Sequence, residues 1–315
     1  MQCNNCHAEI IGDRKLCQVC GTKVVVPKIP CPTCGMLHPE HTAICSHCGY
    51  LFNFKKRPAA YRSKYMLDFR ESHTLSAQIN AHFLKAFKDR IAAEHQIEQW
   101  AVYRQCYDDS VVQKSFAVRR TQLAEECYTL HSAGAANLNQ QIDALLEDHF
   151  EATLDHFLIL YCRHLNETEL PEAILQYGQV SLATVDIQQM ILDYLDLSQE
   201  PENFYIDFIK MPISKLKNAS SSFLFPQRDE KIVIICDQTI LGSCKEGFAL
   251  TELGLYWKAH FNPGQQLYFS EIKGVFREKE WITINNHFFN VSPSVNLKML
   301  KLLKRLQRLY RYTIL

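Results

Sequence analysis

The chain has 315 residues, 47% of them hydrophobic, and its 34 Lys and Arg balance 34 Asp and Glu. That composition suits two or three globular domains and excludes a disordered chain. Charged or polar residues interrupt every apolar run before it reaches the ~18 residues of a membrane helix. The opening "MQCNNCHAEI" lacks the basic-then-apolar pattern of an export signal. The expectation is a cytoplasmic protein whose paired cysteines hold metal as thiolates in a reducing compartment instead of forming disulfides.

The first element is a cysteine array. Cys3/Cys6, Cys17/Cys20, Cys31/Cys34 and Cys45/Cys48 are four Cys-x-x-Cys pairs, each separated from the next by ten residues. A Cys-x-x-Cys turn places two sulfurs on one zinc ion, and two such turns complete a tetrahedron. Joining the two middle pairs would strand the outer four cysteines. Joining first with second and third with fourth uses all eight and calls for two zinc ions. The repeat of period 28, "CNNCHAEIIGDRKLCQVCG" against "CPTCGMLHPEHTAICSHCG", agrees with that pairing. So do Gly21 and Gly49, which follow the last cysteine of each unit, where the turn needs unusual backbone angles. "TKVVVPKIP" then reads as a linker, with Pro27 and Pro30 interrupting strand pairing.

Residues 1–50, with these eight cysteines in register, resemble the double zinc ribbon family. The resemblance implies two tandem ribbons that bind nucleic acid in some proteins and protein partners in others. A closed four-thiolate site has no open position for water, so both zincs are expected to be structural. They would fold a segment too small to have a core of its own. His7, His38, His41 and His47 lie nearby as alternative ligands, but their irregular placement reads as surface histidine. The ribbons carry only Arg14, Lys15, Lys23 and Lys28 as cations and no aromatic residue before Tyr50. That is thin for nucleic acid.

Charge is divided along the chain: residues 1–64 sum to +6, 65–222 to −11 and 223–315 to +5. An acidic middle between basic ends argues against one nucleic-acid surface running through the whole chain. Residues 51–66 read as a basic linker around Pro58. From there to Pro171 no proline occurs, and the first glycine after Gly49 is Gly134, which predicts long helices. Leu75, Ile79, Phe83, Phe87, Ile91 and Ile97 repeat near helical spacing. Further helices are predicted over 111–132 and about 137–164, with Pro171 opening another. Residues 67–220 are therefore expected to form an acidic α-helical bundle. Its stretch "EDHFEATLDH" (Glu147, His149, Glu151, Asp155, His156) reads as a solvated helix face. Cys106, Cys127 and Cys162 read as buried small hydrophobes. No Glu-x-x-His, His-Glu-x-x-His, phosphate-binding loop or Gly-x-Ser-x-Gly motif occurs, so an enzyme is not expected.

In 221–315 the texture changes to strands. "KIVIIC" is β-branched, "GFALTELGLYWKAHF" predicts a hairpin turning near Glu252–Gly254, and "QQLYFSEI" and "WITINN" alternate. From Ser294 an amphipathic helix follows, with Met299, Leu302, Leu303, Leu306, Leu309 and Tyr310 on one side and Lys301, Arg305 and Arg308 on another. Residues of about 228–312 resemble bacterial pleckstrin-homology-like domains, which implies a small antiparallel β-barrel closed by the last helix. The loop "CDQTILGSCKEG" offers only Lys245 beside Asp237 and Glu246, unlike the cation cluster of inositol-lipid binders. Cys236 and Cys244 match no metal knuckle and read as buried.

The fold expected is thus multidomain α+β: a double zinc ribbon (1–50), a basic linker (51–66), an acidic helical domain (67–220) and a pleckstrin-homology-like domain (221–315). The function expected is that of a bacterial, non-enzymatic adaptor or scaffold with two structural zinc ions and a protein partner, and with no small-molecule substrate. Two alternatives stand beside it. One is nucleic-acid binding through the ribbons and linker. The other is peripheral membrane association through the C-terminal domain, by its basic last helix and its barrel, with the outward-facing Lys301, Arg305 and Arg308 as anion or partner contacts.

Overall fold

The computed structural model describes residues 19–20, 28–31, 33–34, 36–39, 42, 44–50, 63–95, 97–134 and 137–312. The chain divides into two compact units, Met1–Arg57 and Pro58–Leu315. In the first, β1 (Lys28–Pro30) pairs antiparallel with β2 (Leu37–Pro39), with Ile29 opposite His38. The end of the expected linker is therefore a strand. Proline is tolerated there because a strand in a two-stranded sheet always has an unpaired edge.

The second unit begins with helices α1 (Leu75–Glu94), α2 (Trp100–Asp108), α3 (Val111–Ser132) and α4 (Leu138–Leu160). Ser110 caps α3 by accepting a hydrogen bond from the Gln113 N–H at 3.3 Å. The four-residue rhythm of Ile79, Phe83, Phe87 and Ile91 buries all four completely. Phe83 stacks on Phe116 with ring centroids 4.0 Å apart. The stripe ends sooner than its periodicity predicts. His95 is extended and ends α1, a 3-10 turn (Ile97–Gln99) follows, and Ile97 is left exposed. Pro171 precedes a short 3-10 turn, Glu172–Tyr177. Among the described residues no helix is long and apolar enough to cross a membrane.

Helix α5 (Ile187–Leu195) leads into β3 (Asn203–Tyr205) and α6 (Ile213–Ser222). The strands β4 (Ile232–Asp237), β5 (Gly247–Thr251), β6 (Gly254–Lys258) and β7 (Gln265–Tyr268) then make an antiparallel meander. With β3 they form one five-stranded sheet in the order β3-β4-β5-β6-β7. That sheet thus takes up a strand from upstream of residue 221. The run "IVIIC" is continuous because β4 is covered on both faces. Ile234 and Cys236 belong to the cluster under the last helix, whereas Ile235 packs with Ala219 and Phe223 on the α6 side. Gly247 sits at φ +136° with the Cys236 carbonyl oxygen 2.0 Å from where a Cβ would be, so only glycine fits.

A closed barrel does not form. β8 (Val275–Glu278), β9 (Trp281–Ile284) and β10 (His287–Phe289) make a separate three-stranded sheet in the order β10-β9-β8. Between β7 and β8 the chain coils into a 3-10 turn, Phe269–Glu271, which buries Phe269 instead of extending the ladder. Helix α7 (Pro293–Tyr312) completes the fold. Its Val295, Met299, Leu302, Leu303 and Leu306 are fully buried in a cluster shared with α5 and both sheets.

Candidate metal centre

Cys31, Cys34, Cys45 and Cys48 converge, their sulfurs all within 4.8 Å of one another. Cys31 Sγ lies 3.5 Å from Cys48 Sγ, and Cys34 Sγ 3.5 Å from Cys45 Sγ. A tetrahedral zinc with Zn–S bonds of about 2.3 Å separates its sulfurs by about 3.8 Å, so the residues fit the ion. Local backbone geometry makes this possible. The Cys31 N–H donates to the Met36 carbonyl at 2.8 Å, and the Gly49 N–H to the Cys45 carbonyl at 2.9 Å. Gly49 has φ +74°, the left-handed angle that its place after the second turn requires.

The thiols are electrostatically unequal. Burial works against charge at Cys31, but the Cys34 and Thr33 amides and the neighbouring thiols bring it down to about 7. At Cys45 and Cys48 burial prevails and pushes both thiols up. Four sulfurs this close cannot all ionise unaided, and a divalent cation supplies the compensating charge. Four protein ligands fill the tetrahedron, so bound zinc would hold the two turns together and activate no water. Of the other predicted ligands, Cys20 lies in an exposed turn, and Cys3, Cys6 and Cys17 lie outside the described residues.

Sequence reasoning misplaced His38. It is buried, not on the surface, and its Nε2 lies 3.0 Å from Cys45 Sγ. A metal-bound thiolate only accepts, so this nitrogen would donate N–H···S to it. His38 sits on β2 opposite Ile29, seven residues before Cys45, a relation with no signature in cysteine spacing. His47 is exposed, and His7 and His41 lie outside the described residues.

The cationic stripe of α7 is also corrected. Lys301, Arg305 and Arg308 do not face outward: they are buried and ion-paired within the chain. Lys301 Nζ contacts Asp155 and lies 3.4 Å from Glu94. Arg305 reaches Asp148 at 3.0 Å, and Arg308 reaches Glu151 at 2.7 Å. Arg90 of α1 contacts Glu151 and lies 2.8 Å from Asp155. Within "EDHFEATLDH", Glu147, Asp148, Glu151 and Asp155 therefore join an internal ion network, whereas His156 is exposed as a solvated face would have it. Burial opposes the charges on Glu94 and Glu151, yet Arg90 with Lys301 or Arg308 overcomes it and holds both carboxyls well below the usual range. A signal for this network exists in the sequence. Cations at 301, 305 and 308 and carboxylates at 148, 151 and 155 each lie on one helix face, at complementary spacing.

No curated protein and no solved structure matches the chain. Over residues 3–49 it matches the model of the double zinc ribbon family.

Proposed function

We propose that this protein is a non-enzymatic, zinc-binding adaptor of the bacterial cytoplasm, with two structural zinc ions and protein partners. The observation that carries this reading is the closed four-thiolate cluster Cys31, Cys34, Cys45 and Cys48. It leaves zinc no position for a substrate, so the ribbon acts as a surface and not as a reaction centre. Strand order supports a pleckstrin-homology-like reading of the C-terminal region. Four antiparallel strands, then three, then a closing helix follow one another, with β3 added at one edge. The membrane alternative loses the support of the last helix with the burial of Lys301, Arg305 and Arg308.

The test is affinity purification from the native cell with the full chain and with residues 1–50 removed. The expected result is a defined set of proteins that the full chain retains and the shortened chain loses. Recovery of nucleic acid instead, released steeply as salt rises, would replace the adaptor with the nucleic-acid reading.

A further inference from the structure

β8 is an outer strand of its sheet, with β9 on one edge only. Two adjoining cavities of about 440 and 370 Å³ lie against β8, the first walled mainly by α1 and the second by α4 and α7. Both take Val275 and Phe276 from β8 and neither takes a residue of β9, so they run along the unpaired edge. An unpaired strand edge presents N–H and C=O groups that template pairing with another chain. Phe276 is 60% exposed on this edge. Its ring lies over Gly274, where a Cβ would stand 2.7 Å from it.

The walls of the two cavities carry eight Lys or Arg against three carboxylates. Two of the three are already matched: Glu151 lies between Arg90 and Arg308, and Glu147 between Lys64 and Arg311. Lys304 reaches back to buried Glu94 at 3.1 Å. Lys85 and Lys273 stand exposed at the two rims, and neither has an ion-pair partner among the described residues.

We infer that this groove takes an extended, acidic segment of a protein partner. The segment adds to β8 as a strand, rests an apolar side chain on Phe276 and directs carboxylates to Lys85 and Lys273. Main-chain pairing supplies affinity, and alternate side chains supply selectivity. A nucleic acid would meet the same cations, but its backbone has no N–H to offer the carbonyls of β8. This inference rests on the adaptor reading and adds to it a second partner surface outside the ribbons, so a partner held in this groove should also be retained by the chain lacking residues 1–50.

The test is selection of a displayed random decapeptide library on the intact chain, followed by binding of the selected peptides to a Lys85→Glu, Lys273→Glu variant. Both positions are exposed, and an unchanged melt would show that the variant is folded. The expected result is peptides with two or more Asp or Glu around an apolar residue, bound at least about tenfold more weakly by the variant and at higher salt. Hydrogen exchange at 275–278 should slow on binding. Selected peptides without acidic enrichment, or equal binding by the variant, would overturn the groove assignment while leaving an adaptor that binds elsewhere. Lysine-dependent binding of an oligothymidine with no peptide selected would also overturn it. The adaptor reading itself fails separately, when the native purification returns no protein.

Discussion

His38 shows how one side chain can be present in the sequence and yet unreadable from it. A tetrathiolate zinc site carries a double negative charge, and an N–H···S bond from a buried imidazole offsets part of it at Cys45. His38→Ala is expected to weaken zinc binding about 10–100-fold, measured by competition with a chromogenic chelator. Cobalt substituted for zinc should keep an all-sulfur absorption spectrum in both proteins, because the imidazole is not a ligand. His95 is a different case. It is buried, neither ring nitrogen has a hydrogen-bond partner among the described residues, and burial lowers its pKa to about 4. The unfolded chain titrates this group near 6.5, so its contribution to stability is complete above about pH 6.5. That contribution is lost as pH falls toward 4. Glu94 and Glu151 have depressed values, so their contribution is present above about pH 4.5 and is lost below it. Melts of the intact chain should therefore lose on the order of 3 kcal/mol between pH 7 and 4 through His95. His95→Phe should flatten that stage and leave the steeper one below it. An unchanged pH profile in the variant would remove His95 from the account.

At the scale of elements, local signals were legible and pairwise ones were not. The helix over 111–132, the β-branched strand at 232–237 and the hairpin about Glu252–Gly254 all follow from composition and turn residues. These are properties of a few neighbouring positions. An amphipathic helix is different, because its polar face reads the same whether it meets water or an opposing charged helix. Only packing decides, and here α7 sets its cations against the carboxylates of α4 and the Arg90–Glu94 pair of α1. The energetic consequence is large. Removing one partner from a buried ion network leaves an uncompensated charge, so Lys301→Ala should destabilise the second unit by about 3–5 kcal/mol in urea unfolding. A change within about 0.5 kcal/mol would return the stripe to solvent. Leu306→Ala, on the apolar face of the same helix, should cost about 2–5 kcal/mol through the cavity it opens. Similar losses at the two positions would mean that both faces of α7 are interior faces.

For the whole molecule, the charge division of +6, −11 and +5 now has a partial physical account. Six carboxylates of the middle region, Glu94, Glu147, Asp148, Glu151, Asp155 and Glu200, are counterparts of cations on the last helix, so that part of its acidity is matched inside the chain. The barrel was misread because strand alternation does not reveal where a ladder stops, and the 3-10 turn at Phe269–Glu271 separates the two sheets. The metal site was the most legible feature, since four cysteine pairs at equal spacing constrain their own geometry before any core exists. Composition and spacing offered complementary charged faces at 301, 305, 308 and at 148, 151, 155, but only packing sets Lys301 on Asp155, and the His38 contact on Cys45 has no counterpart in the cysteine spacing. The central claim is that zinc holds the ribbons as closed structural sites, one of them built by Cys31, Cys34, Cys45 and Cys48. Native mass spectrometry of the intact chain beside a Cys34→Ser, Cys48→Ser variant tests it most directly. The account expects about two zinc ions on the intact chain and about one on the variant. Equal zinc content in the two proteins would contradict it.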